Sequence, residues 1–242
     1  MRAQLYFDND TWNTAQVLNI YGVDDDIDDG DKPFNLTWKI KRGNNLTWFF
    51  QDQDFNRQSS FVNKDNDNSS FELSVIDNTS SESGGTAEVS LKLSSAPFDT
   101  GTDSINSASG DIATVRINVQ IDNISEARID SLNGTQTKTL VFDSTNWNTP
   151  QNVTIYGQDA DEYDEGKLGL EEDYLSGLFH INAGITGISD DEKYSSLHID
   201  NQSVSLWNTD NDTAGVVFAS IDNNSKESGD NGTLEVRLRS RP

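Results

Sequence analysis

Three observations predict an all-β fold of antiparallel sandwiches for this 242-residue chain. Apolar side chains recur at every second position, as they do in a strand with one buried face. Clusters of Asn, Asp, Gly and Ser interrupt each alternating run and supply the residues that tight turns require. Long blocks of sequence also occur twice in the same order, which marks a chain built from repeated units. Short strands separated by such turns are the pattern of an antiparallel sandwich.

The repeat sets the frame for the individual elements. "LYFDNDTWNTAQVLNIYGVDDD" from Leu5 returns as "LVFDSTNWNTPQNVTIYGQDAD" from Leu140, a shift of 135. "SFVNKDND" from Ser60 returns as "SLWNTDND" from Ser205, shifted by 145. "IDNTSSESGGTAEVSLKLSSAP" from Ile76 returns as "IDNNSKESGDNGTLEVRLRSRP" from Ile221, again shifted by 145, so the second copy holds about ten extra residues before its NTDND element. One complete sandwich repeat is expected over residues 71–215. Residues 1–70 match its later part and residues 216–242 its opening strands, as in a window cut from a longer array.

In chain order, "AEVSLKLSS" places Val89, Leu91 and Leu93 on one face of a strand, and "VRINVQID" does the same with Val115, Ile117, Val119 and Ile121. Leu140 and Phe142 are expected to pair with a following strand through Val153 and Ile155. Leu234, Val236 and Leu238 repeat the first of these patterns near the C-terminal end. Residues 168–200 resist the strand reading and are expected to be an insertion, with "LEEDYLSGLF" forming a brief helical turn.

Composition narrows the function classes. Forty-one acidic residues against 17 basic ones give a net charge of −24. That balance disfavours nucleic acid, whose phosphates demand Lys and Arg, and anionic membrane surfaces for the same reason. There is no cysteine, so disulfides and thiolate metal sites are excluded. No apolar run is long enough to insert into a membrane. "MRAQLYF" has no signal-peptide core, so an exported protein would carry its signal outside this sequence.

The densest charge lies in "GVDDDIDDGDKPF", residues 22–34, with six aspartates at positions 24–31. Carboxylates ~5 Å apart repel by roughly 1 kcal/mol even in water. Such a loop is either a solvated acidic turn or a cation site. An EF-hand reading puts Asp24, Asp26 and Asp28 at loop positions one, three and five. It fails because Asp29 stands where that loop needs glycine, Asn35 where it needs glutamate, and Tyr163 at position five of the second copy.

"TWNTAQVLNIYGVDDDIDDGD", "NWNTPQNVTIYGQDADEYDEG" and "NTDNDTAG" resemble the repeats of large bacterial cell-surface and adhesin proteins, which are similar in turn to the Calx-β module. The resemblance implies tandem immunoglobulin-like sandwiches with an extracellular, structural or adhesive role, and a calcium site fed by three separated segments. Carried onto the complete unit, those segments are Glu82, then Asp159, Asp161 and Asp164, then Asp210 and Asp212. The first copy supplies Asp24, Asp25, Asp26, Asp28 and Asp29 with Asp65 and Asp67, and Glu227 belongs to the third. Ala160 interrupts the acidic loop of the second copy.

Other features carry less. His180 and His198 are the only histidines and form no zinc-binding pair; no nucleophile elbow or phosphate loop is present, so no enzyme activity is expected. Trp12 and Trp147 occupy equivalent positions and are expected to be packing residues. Twelve Asn-x-Ser/Thr sequons occur, acceptors in a glycosylating host and polar turns otherwise. The expected function is therefore an extracellular structural repeat of a stalk, adhesin or fibre, its partners the adjacent repeats. The alternative is an adhesive module for a glycan or protein, with residues 168–200 the place to look for its ligand. Open strands at both ends either assemble the chain head-to-tail or are completed by a longer chain.

Overall fold

The computed structural model describes residues 5–39, 56–98, 113–161, 177–186, 191–194 and 199–241. They fall into two compact units, Met1–Asn66 and Asp67–Pro242. The described residues are all β, without a helix.

In the smaller unit, β1 (Lys32–Lys39) and β2 (Asn56–Asn63) form a two-stranded antiparallel ribbon. The larger unit contains β3 (Phe71–Asp77), β4 (Thr79–Ser81), β5 (Thr86–Leu93), β6 (Val115–Ile121), β7 (Ala127–Ile129) and β8 (Thr137–Phe142). It continues with β9 (Gln151–Gly157), β10 (Leu178–Ile185), β11 (Gln202–Thr209), β12 (Val216–Asp222) and β13 (Thr233–Leu238). Strands β3-β5-β9-β7 make one open sheet and β4-β11-β10-β6-β8 another. Strands β12 and β13 make a separate ribbon. Among the described strands every pairing is antiparallel except β4 on β11.

Both large sheets feed one apolar core. Val89, Leu91, Val153 and Ile155 come from the first; Ile117, Val119, Phe179, Ile181 and Leu206 come from the second. The alternation that predicted β5 and β6 reappears as alternating burial along both strands. Each such side chain contributes about 1.5–3 kcal/mol when buried.

The observed strand pairing differs from the sequence expectation. β8 does not pair with β9: it pairs with β6, while β9 pairs with β5 and β7 in the other sheet. The intervening turn carries the chain across the core. Asp143 accepts the Thr145 N–H and hydroxyl at 2.7 and 2.6 Å, Trp147 N–H bonds the Asp143 carbonyl, and the Trp147 carbonyl then takes the Leu93 N–H of β5 at 2.8 Å. Residues 168–200 are also not an insertion set apart from the fold. They contain β10, whose Phe179, Ile181 and Ala183 lie in the core together with Tyr194 and Ile199. The expected helical turn lies mostly outside the described residues, and its last two residues, Leu178 and Phe179, are strand.

Strand pairing recurs along the chain at the longer of the two repeat shifts. Phe34 opposes Phe61 in β1–β2, and their counterparts Phe179 and Leu206 oppose each other in β10–β11. Phe71 opposes Leu93 in β3–β5, and their counterparts Val216 and Leu238 do so in β12–β13. Even the bulge repeats, between Val75 and Asp77 and again between Ser220 and Asp222. Gly157 answers to Gly22 at the shorter shift and Leu178 to Pro33 at the longer one, so the extra residues of the second copy lie between Gly157 and Leu178.

Burial does not recur with pairing. Trp147 packs on the core, whereas Trp12 on the equivalent turn is 71% exposed, contrary to the packing role expected for both.

Candidate metal centre

The site is built by the one parallel pairing among the described strands. β4 is short and runs alongside the end of β11, with Thr79, Ser80 and Ser81 opposite Trp207, Asn208 and Thr209. The Glu82 N–H extends that ladder to the Thr209 carbonyl at 3.0 Å. Glu82 directly follows β4 and Asp210 directly follows β11, so two acids far apart in sequence leave parallel strands at the same level. Asp212 joins them two residues further on.

Glu82 is only 7% exposed, and its carboxylate is held by backbone donors from both sides. Oε1 accepts the Ala160 N–H just beyond β9, and Oε2 accepts the Asn211 N–H just beyond β11, each at 3.1 Å. The Asn211 side chain donates to Asp159 Oδ1 at 2.9 Å, and the Asp212 N–H donates to Asp210 Oδ1 at 2.6 Å. One ligand oxygen from each of Glu82, Asp210 and Asp212 lies within 4.8 Å of the others. Two oxygens bound to opposite sides of one calcium ion stand ~5 Å apart. The cluster can therefore hold a divalent cation. Partial burial, then the charges of Asp210, Asp161 and Asp159, push the Asp212 carboxyl above its ordinary range.

Asn208 fixes the geometry beneath the carboxylates. It is buried, accepts the Ser80 hydroxyl at 3.0 Å, and donates to the Gln158 carbonyl at 2.9 Å. A Cβ on Gly157 would lie 2.1 Å from Asn208 Oδ1 and 2.7 Å from the Ser81 carbonyl oxygen, so only glycine fits there. The first copy has the same clamp: Asn63 donates to the Val23 carbonyl at 3.0 Å, and a Cβ on Gly22 would meet Asn63 Oδ1 at 2.2 Å. The sequence reading missed Asn208 and Gly157. Their signal was present in the repeated "YG" and in the asparagine shared by NKDND and NTDND.

The other expected ligands are placed differently. Asp159 and Asp161 flank the cluster and act on Asp212 through their charge, while Asp164 lies outside the described residues. Asp65 accepts the Gly30 N–H, and Asp31 bonds Lys64 and the Asp65 N–H. Asp29 pairs with Lys32 at 3.2 Å, and Asp25 caps the Ile27 N–H. Among the described residues no second group of three carboxylates comes as close, so Asp24, Asp25, Asp26, Asp28 and Asp29 are not gathered with Asp65 around one point. Asp67 belongs to the larger unit. Glu227 sits on a turn like that of Glu82: the Gly84 and Gly229 N–H groups bond the Ser81 and Lys226 carbonyls, each at 3.0 Å. No protein-family model matches the chain, and no curated protein matches it.

Proposed function

We propose that the chain is a stretch of tandem, immunoglobulin-like, Calx-β-like repeats from an extracellular stalk, adhesin or fibre, stiffened by calcium at the module tip. One observation carries this reading: at the longer repeat shift, the β1–β2 and β12–β13 ribbons reuse the strand registers of β10–β11 and β3–β5. Reusing one pairing scheme in series produces length. That role is mechanical and needs no catalytic group.

Calcium is favoured by the donor set. Three carboxylates converge with two more aspartates beside them, and neither nitrogen nor sulfur takes part. Hard oxygen donors suit calcium, whose remaining ligands come from carbonyls and water. An ion there joins the end of β4 to the end of β11, on a glutamate that already holds the chain beyond β9. Both sheets are tied at one point.

Thermal melting in millimolar calcium, in chelator and in sodium chloride of equal ionic strength tests the reading. Calcium alone should raise the melting temperature, by about 2.7 kcal/mol of stability at a concentration 100 times the dissociation constant. Three superimposable curves overturn the cation site. Glu82→Ala is a poor probe here, because it strips partners from two backbone N–H groups and destabilises the fold by itself.

A further inference from the structure

The smaller unit carries a groove of about 610 Å³ between residues 18–22 and the β1–β2 ribbon, lined by Leu18, Ile20, Phe34, Leu36 and Phe61 together with Asn19 and Asn63. The counterparts of its apolar residues in the larger unit, Val153, Ile155, Phe179, Ile181 and Leu206, are fully buried. There, β5 covers the equivalent face: it pairs with β9 and sends Val89 and Leu91 into the core. β13 is the repeat of β5, and it leaves Leu234 and Val236 exposed at 59% and 53%. Two surfaces that meet inside the larger unit are thus open elsewhere on the chain.

Two side-chain hydrogen bonds hold residues 16–23 as they hold β9 and the residue after it. The Gln16 side chain donates to the Tyr6 carbonyl, as Gln151 donates to the Val141 carbonyl. The Asn63 side chain holds the Val23 carbonyl as Asn208 holds that of Gln158. Among the described residues, 16–21 have no strand partner.

We propose that β13 of one copy pairs antiparallel with residues 16–21 of a second copy, in the register of β5 on β9. Leu234 then stands opposite Leu18, Thr233 opposite Asn19 and Val236 opposite Gln16. Leu234 and Val236 enter the groove as Val89 and Leu91 enter the core. Charge favours the same occupant: continued past Val236, this register sets Arg237 and Arg239 opposite residues 15 and 13, at the end of the turn that begins at Asp8. Donor and acceptor are different surfaces, so the contact is heterologous and propagates head-to-tail unless the rotation closes a ring.

This inference rests on the repeat reading but not on calcium, so it is tested in chelator. The chain has no cysteine, and introduced thiols are therefore the only ones. Chains carrying Val17→Cys are mixed with chains carrying Glu235→Cys; this pair corresponds to Asn152 opposite Ser90, at a separation a disulfide spans. Mild oxidation should give a disulfide-linked heterodimer, and Val17→Cys mixed with Ser225→Cys should not. Equal yields in both mixtures, or none in either, overturn the register. If only a doubly substituted chain cross-links, and does so within itself, the hairpin serves its own molecule and the second-copy assignment falls. Calcium-dependent melting without cross-linking removes this inference alone.

Discussion

At the residue scale, one carboxylate decides how the tip behaves. Asp212 is half-buried and faces Asp210, Asp161 and Asp159, so its folded-state pKa is raised above the ordinary 3.8. Between that value and the raised one, the folded chain holds more protons than the unfolded chain. Stability contributed by protonated Asp212 is therefore lost as pH rises through that window. Asp212→Asn should melt higher than the parent chain at neutral pH without cation, and should lose the calcium response. The gap between the two metal-free melting curves should close as pH falls toward 3.8. A variant less stable than its parent at neutral pH contradicts the repulsion. Asp8 and Asp143 behave oppositely: hydrogen bonds from Thr11 and Thr145 hold them below the usual range. Their equivalent turns were legible as a repeated "WNT". Asp212's neighbours were reached only through the family resemblance, which gathers Glu82 with Asp210 and Asp212, because no local pattern states that β4 runs parallel to β11.

At the element scale, strands were legible wherever alternation stood between turn residues, as in β5 and β6. β10 was missed although Phe179, Ile181, Ala183 and Ile185 alternate in the same way. The acidic, Gly-containing stretch before it drew the whole of residues 168–200 into one reading. The extra residues of the second copy instead precede the strand, which is the counterpart of β1. Pairing choice was equally hidden. β8 and β9 follow one another in sequence but lie in different sheets, because the turn begun by Asp143 crosses the core and does not fold back as a hairpin. Ile181 lies on β10 between β6 and β11 and is fully buried. Ile181→Ala should cost about 2–5 kcal/mol, the range for emptying a packed site. Chemical denaturation measures it, and a loss below about 1 kcal/mol would place residue 181 at a loose edge instead of in the core.

At the scale of the whole molecule, the same pairing code meets two environments. β1–β2 and β10–β11 share a register, yet Phe179 and Leu206 are fully buried while Phe34 and Phe61 are each 37% exposed. The repeated pattern decides which residues oppose each other; burial depends on which further strands arrive. A two-stranded ribbon is marginal alone, whereas a central strand opens only when the core does. Amide hydrogen exchange should therefore separate the ribbons despite their likeness. At low protein concentration, β1–β2 amides should exchange at least roughly 100-fold faster than those of β10–β11, the ratio set by about 2.8 kcal/mol of opening free energy. Raising the concentration should slow β1–β2 selectively if a second copy's β13 covers the groove, and should leave β10–β11 unchanged. Equal protection of both ribbons at every dilution would mean that the apolar face of the smaller unit is closed within one chain, and the contrast in burial would not describe the protein in solution.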